Sequence, residues 1–413
     1  MQRESSQIQP LAGVRVADFS SNMAGPFGAM ILAQLGADVI KIEPPQGDDA
    51  REWPPFVHGV SATHRHMNAG KRGMIIDLKK QEGVDVALAL IARSDVLLQS
   101  MRPGVAERIG IGKAAALARN PDLLYYELSA FGDGPRGAAM PGYDPLVQAF
   151  TGIMQMTGHE GSPATRCAPS IIDLSSGQWI AMGVLAAMLA RQKGSTITSM
   201  QTALVDTAFN LVPHQAMNAR VTGKRPAKSG SGNTIAAPYQ CFSAADGEIL
   251  VAAPSDRLWR ALLQAIDASG LADEAAFSSN SARVKNVREL EIKLNAIFAK
   301  RDVQAWIERL TAAGVPAARV AGLEESVKGA IADERQTFIE NDGAPLVRLP
   351  WLIDGKSVPW KRAAPKLGEH TVEILKELGF RDGETDRLIE SGAVGATGRA
   401  DDGVKLSQQV TAG

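Results

Sequence analysis

The run VRVADFS, Val14 to Ser20, followed by GAMILAQLGA from Gly28 to Ala37 and DVIKIE from Asp38 to Glu43, decides the fold. The outer pieces are short apolar strands. The middle piece has helical spacing and closes on glycine. Working outward, GMIIDL (Gly73 to Leu78), VDVALALIARS (Val84 to Ser94), DVLLQS (Asp95 to Ser100) and DLLYYELSAFG (Asp122 to Gly132) keep the same rhythm. Strands alternating with helices of this length imply an α/β fold, a parallel sheet covered on both faces. Such sheets take their ligands in the crevice outside the carboxyl ends of the strands.

The rhythm changes after Phe209. YQCFSAADGEILVAA, Tyr239 to Ala253, reads as a hairpin turning at Asp246-Gly247, and helical stretches follow over Ser281 to Ala299 and Asp302 to Gly314. The expected organisation is a large domain over 1–215, a smaller α+β domain over 216–330, and a return to the large domain over 331–413. The final stretch, rich in Gly, Ala and Ser, is expected to be a loose tail. The longest apolar run, WIAMGVLAAMLA from Trp179 to Ala190, is too short to span a bilayer and reads as a buried helix.

The chain has 413 residues, enough for two or three domains at about 150 residues each. Lys plus Arg number 44 against 45 Asp plus Glu, a net charge of −1, which excludes general electrostatic capture of nucleic acid or an anionic membrane. Any polyanionic ligand needs a local basic patch. Only Cys167 and Cys241 occur, so neither a disulfide framework nor a four-thiolate metal cluster is expected. The polar start, MQRESSQIQP, lacks the apolar centre of a signal peptide, and the expected location is cytoplasmic.

The catalytic motifs are few. Gly110-x-Gly112-x-x-Ala115 mimics a dinucleotide fingerprint, but MRPGVAER precedes it where a buried strand is required. SGSGN, Ser229 to Asn233, has no Gly-Lys-Ser/Thr and is either a flexible loop or an active-site flap. His64-x-His66 is the only close pair among six histidines, has no carboxylate placed to complete a metal site, and reads as surface or loop histidine. No Gly-x-Ser-x-Gly elbow is present. Asp173, in APSIIDLSSGQWIAMG, fits a helix start. It also fits a carboxylate at a strand end, where Ser175, Ser176 and Gly177 would let an acyl group approach. Asp144, in PGYDPLVQAFTG, is a second candidate with an ordinary role in turn chemistry.

Nine stretches in order resemble the class III CoA-transferase family, the group of the formyl-CoA and carnitine CoA-transferases. They are LAGVRVADFS, AGPFGAMILAQLGADVIKIEPPQGDDAR, Lys71-Arg72 to Asp77-Leu78, SDVLLQSMRPGVAERIGI, NPDLLYYELSAFGDGPRG, PGYDPLVQAFTG, APYQCFSAADGE, GVPAARV and LGEHTVEILKELGF. The resemblance runs from Leu11 to Ile389. It implies a Rossmann-like large domain with a smaller inserted domain, in an interlocked homodimer. It implies Asp173 as the carboxylate nucleophile and Asp144 as a second carboxylate near it. CoA thioesters are then substrates rather than tightly bound cofactors. The CoA adenine is expected near the Ser20 to Pro26 loop, with Ser20, Ser21, Met23 and Ala24 in contact. Its phosphates are expected near Lys71, Arg72, Arg102 and Arg108. Met23 stands where the formyl-CoA enzyme carries glutamine.

The chemistry suits these residues. A carboxylate attacking a thioester gives a mixed anhydride that conserves the bond energy, so no metal or redox cofactor is required. Two other functions compete. The α-methylacyl-CoA racemases share this fold and use a His/Asp pair; here the histidine position falls at Tyr143, a poor base at neutral pH. A CoA-binding protein without catalysis would not need Asp173.

Overall fold

The computed structural model describes residues 9–397. Six parallel strands build the main sheet: β1 (Arg15–Phe19), β2 (Asp38–Glu43), β3 (Arg72–Ile76), β4 (Val96–Gln99), β5 (Leu124–Ser129) and β6 (Ser199–Ala203). Their spatial order is β3-β2-β1-β4-β5-β6. Winding starts outward from β1 through β2 to β3, then resumes on the other side with β4. That reversal between β1 and β4 opens a crevice at their carboxyl ends. Val16, Ala17, Ile40, Met74, Leu97 and Leu98 are sealed from solvent, as strands covered on both faces must be.

Five helices matter for the site: α1 (Ala24–Gln34), α2 (Gln81–Ile91), α3 (Asp144–Phe150), α4 (Ile171–Gln192) and α5 (Leu204–Leu211). Helix α2 buries Val84, Ala87 and Ile91, one stripe at helical spacing. Helix α4 corrects the expectation of a short buried helix. It has 22 residues, long and apolar enough by length and composition to cross a membrane, and leaves Trp179, Met182 and Leu189 exposed. Residues Asp173 to Gln178, mostly polar or small, belong to the same helix.

The chain divides into two compact units. Among the described residues the first runs to Thr151, resumes over Ala168–Pro213 and returns from Arg335; the second comprises Gly152–Cys167 and His214–Glu334. The expected boundaries lay at 215 and 330, and the structure adds residues 152–167 to the second unit. The reason is local: Gly230 N–H donates to Gly158 O (3.0 Å), and Lys228 Nζ donates to Ser162 O (2.9 Å). This ties SGSGN down within its own unit. The second unit carries β7 (Tyr239–Ser243), β8 (Glu248–Ala252) and β9 (Ala317–Arg319) in one antiparallel sheet. Helices α6 (Asp256–Ala265), α7 (Val287–Phe298) and α8 (Val303–Ala312) pack on it around Phe242, Trp259, Phe298 and Trp306.

Back in the first unit, α9 (Thr371–Leu378) and the antiparallel strand β10 (Val394–Gly395) close the β3 edge. Residues 398–413, most of the expected loose tail, lie outside the described residues. The histidine expectation is also corrected. His64 lies on a short helix, Ala62–Asn68, and is buried; desolvation pushes its imidazole down to about 3, so it is neutral. No cluster of three metal-ligating side chains occurs among the described residues.

Candidate active site

The loop from Ser20 to Pro26 joins β1 to α1 and rests on buried ion pairs. Asp18 Oδ2 lies 2.9 Å from Lys71 Nζ, with both side chains fully buried. Lys71 Nζ also donates to Pro26 O and to Asn68 Oδ1, each at 3.0 Å. Lys41 Nζ pairs with Asp48 Oδ2 at 2.6 Å and donates to Ser20 O. Ser20 Oγ donates to Asp18 Oδ1, and Asn22 N–H donates to Asp48 Oδ1 at 3.2 Å. Desolvation pushes the Lys71 ammonium down to about 8, against the pull of Asp18. Burial opposes ionisation of Asp18, but the two lysines hold its carboxyl below the ordinary range. Each charge here is compensated inside the protein, so the loop has a fixed floor.

This corrects two expected phosphate ligands. Lys71 is fully buried and committed to Asp18. Arg72 forks onto Asp38 (2.7 and 2.9 Å) and reaches Glu373 (2.8 Å) and Glu377 (2.7 Å) of α9, leaving it little exposed. Both cations hold the sheet edge and the loop together.

The two carboxylates are linked through the backbone. Asp173 is the third residue of α4 rather than a strand-end residue. Asp144, buried at the start of α3, accepts Ile172 N–H (2.8 Å) and Asp173 N–H (3.2 Å) on Oδ2, and Gln148 Nε2 on Oδ1 (2.6 Å). Asp144 therefore caps α4 from another helix, satisfying donors that no residue of α4 supplies for. Asp173 keeps its own side chain for the cavity. Desolvation, with the Asp144 charge added, pushes the Asp173 acid up to about 7.

Glycine fixes where α4 lies. A Cβ on Gly177 would stand 2.7 Å from Ala24 O and 2.9 Å from Gly28 N, so α1 and α4 touch backbone to backbone. Gly183 likewise leaves room for the Tyr126 hydroxyl. Ser176 is buried and bonds Thr207 (2.8 Å). These small residues serve helix contact rather than the acyl approach expected from sequence. The contact places Asp173, one turn before Gly177, at the amino end of α1. That end has no side-chain cap and no acid in its first turn, and Met23 and Ala24 line the same cavity as Asp173. Free N–H groups and a positive helix end favour negative charge there.

Two cavities meet at this loop. The smaller, ≈ 220 Å³, contains Asp173, Met23, Ala24, Arg102 and Tyr143 among its walls. The larger, ≈ 680 Å³, follows the carboxyl ends of β1, β2 and β3 and is lined by Ser20, Lys79, Lys80 and Arg108. Ser21 and Met101 border both. Arg108 and Arg102 are exposed and have no side-chain partner among the described residues.

The profile of CoA-transferase family III matches residues 11–371. The chain belongs to that family. It is 33% identical over 372 residues to the acetyl-CoA:oxalate CoA-transferase of Acetobacter aceti, covering 89% of this chain and 96% of that one. It is 29% identical to the succinate–glutarate CoA-transferase of Agrobacterium fabrum, over 89% and 96% of the two chains. A CAIB/BAIF family protein from Brucella suis superposes with a TM-score of 0.81 at 30% identity, over 90% of this chain and 100% of that one. This family III CoA-transferase thus acts on CoA thioesters. Sequence reasoning missed Lys79 and Lys80, cations on the wall of the larger cavity. Their signal was available: they lie three and four residues past the end of strand β3, where the crevice rule places ligands. Lys80 Nζ also donates to Ser391 O, and Asp49 and Asp77 line the same cavity, so its charge is mixed.

Proposed function

We propose that this CoA-transferase moves CoA from an acyl-CoA donor to a small carboxylic acid, with Asp173 as the nucleophile. The observation that carries the reading is the pair of adjoining cavities: a large one with cations on its wall, and a small one lined by a half-buried carboxylate with no side-chain partner among the described residues. The CoA nucleotide belongs in the first, its phosphates facing Arg108, Lys79 and Lys80 through charge-assisted contacts. The thioester crosses Ser21 and Met101 into the second.

Ionised Asp173 attacks the thioester carbonyl, the C–S bond breaks, and CoA leaves as thiolate with an acyl-aspartyl anhydride behind it. The thiolate then attacks the aspartyl carbonyl, expelling the donor's acid as carboxylate and leaving an aspartyl-CoA thioester. The acceptor carboxylate attacks that thioester, forming a second anhydride and freeing thiolate again. Attack of the thiolate on the acceptor's acyl carbon gives the new thioester and restores Asp173. Each tetrahedral stage develops an oxyanion, and the uncapped N–H groups of α1 supply the stabilising dipole.

Donor and acceptor belong to the short organic acids, the class that the related enzymes' names describe. The same proposal includes a Rossmann-like large domain, a cytoplasmic location and a homodimer. For the dimer, the supporting features are an apolar cavity of ≈ 450 Å³ walled by Tyr126, Trp179 and Met182, and the unpaired edge of β6. The deciding experiment incubates the protein with acyl-CoA alone and maps adducts by mass spectrometry. Acylation or CoA attachment on the Asp173 peptide, intercepted by hydroxylamine, is the expected result. Exchange of an α-proton into deuterated water without any adduct would replace the transfer reading with the racemase one.

A further inference from the structure

Among the described residues lining the ≈ 220 Å³ cavity, only Asp173 and Arg102 belong to the acidic or basic types. They reach it from different elements, Asp173 from the first turn of α4 and Arg102 from the loop after β4. Arg102 is exposed with no side-chain partner among the described residues, so its guanidinium is not committed to a carboxylate of the protein. The cations on the larger cavity's wall do not border the smaller one, and Arg102 does not border the larger. Sequence reasoning grouped Arg102 with Arg108 as phosphate ligands; the two line separate cavities.

We propose that Arg102 receives the remote carboxylate of a short dicarboxylic acyl group, making the acyl cavity selective for diacids over monoacids of equal length. This rests on the transfer reading, which places the acyl chain beside Asp173. A second carboxylate entering that cavity meets the like charge of Asp173 and the loss of its hydration. A planar guanidinium offers two parallel N–H donors to a carboxylate, which offsets both penalties. An aliphatic end of the same length would instead leave the guanidinium facing a methyl group.

The test reads binding without turnover. Titration calorimetry on full-length Asp173→Asn protein compares succinyl-CoA, butyryl-CoA and free CoA. Succinyl-CoA should bind about tenfold or more tightly than butyryl-CoA. Adding Arg102→Gln should bring the two within about twofold, and Arg102→Lys should retain part of the preference because charge survives without the fork. A preference unchanged by Arg102→Gln overturns the proposal. So does an equal loss for both thioesters and free CoA, which would put Arg102 on the nucleotide. If the wild-type protein discriminates but Asp173 is never acylated, the transfer reading falls while the carboxylate site stands.

Discussion

Because burial and Asp144 push the Asp173 acid up to about 7, at neutral pH roughly half of the molecules hold it as the carboxylate. Acylation by acyl-CoA should therefore rise from pH 5 to pH 8 with a midpoint near 7, read by single-turnover labelling. Asp144→Asn keeps an oxygen for the α4 N–H groups but removes the charge, so the midpoint should move to lower pH. The same shift bears on stability. The native Asp173 binds a proton between its unfolded value of 3.8 and about 7, so stability falls as pH rises through that window. Asp173→Asn escapes this loss and should melt a few degrees above wild type at pH 8, yet close to it at pH 4. Charge identity also separates floor from surface. Lys71→Met strands the buried Asp18 and should destabilise by about 3–5 kcal/mol, whereas Arg108→Ala should raise the KM for CoA thioesters with little change in denaturant midpoint. A sequence displays both as basic residues beside apolar runs; only the partners Asp18, Asn68 and Pro26 reveal which one is spoken for.

At the scale of elements, the crossing of α1 and α4 sets the position of the nucleophile. Gly177→Ala would press a methyl group against Ala24 O and Gly28 N, backbone atoms that have no rotamer to change. Overpacking of this kind costs about 1–3 kcal/mol, and here it also pushes α4 off α1. The expected outcome is a lower Tm together with a loss of acylation larger than the stability change explains, checked by labelling well below Tm. The strands β1 to β5 were legible because each is a short apolar run between polar breaks. Strand β6, SMQTA, was not: it sits at the sheet edge with half its residues wet, so its sequence carries no apolar run. The bond from Asp144 to the start of α4 was illegible for another reason. It spans 28 positions, and no local pattern in PGYDPLVQAFTG announces which distant helix its carboxylate will cap.

On the scale of the whole molecule, the outline read from sequence was a parallel sheet followed by a different, smaller region and a return; the described residues divide into two compact units, the second of Gly152–Cys167 and His214–Glu334. The segment 152–167 escaped it because its attachment to residues 228–230 depends on hydrogen bonds, not composition. The return has a further result, concerning synthesis. Strand β3 has its outer edge met by β10 and by His370 and Thr371, all from the end of the chain, and Arg72 waits for Glu373 and Glu377 of α9. A ribosome adding about 5–20 residues per second needs roughly 16–64 s to travel from Arg72 to Val394. Throughout that interval the nascent chain carries an unpaired strand edge beside a cation without its partners, a template for pairing with neighbouring chains. A protein truncated before Thr371 should therefore collect in the insoluble fraction on expression, while one ending after Thr397 should remain soluble. Release of the last segment, rather than completion of the first strands, would then be the event that makes a newly made molecule safe from its neighbours on the same message.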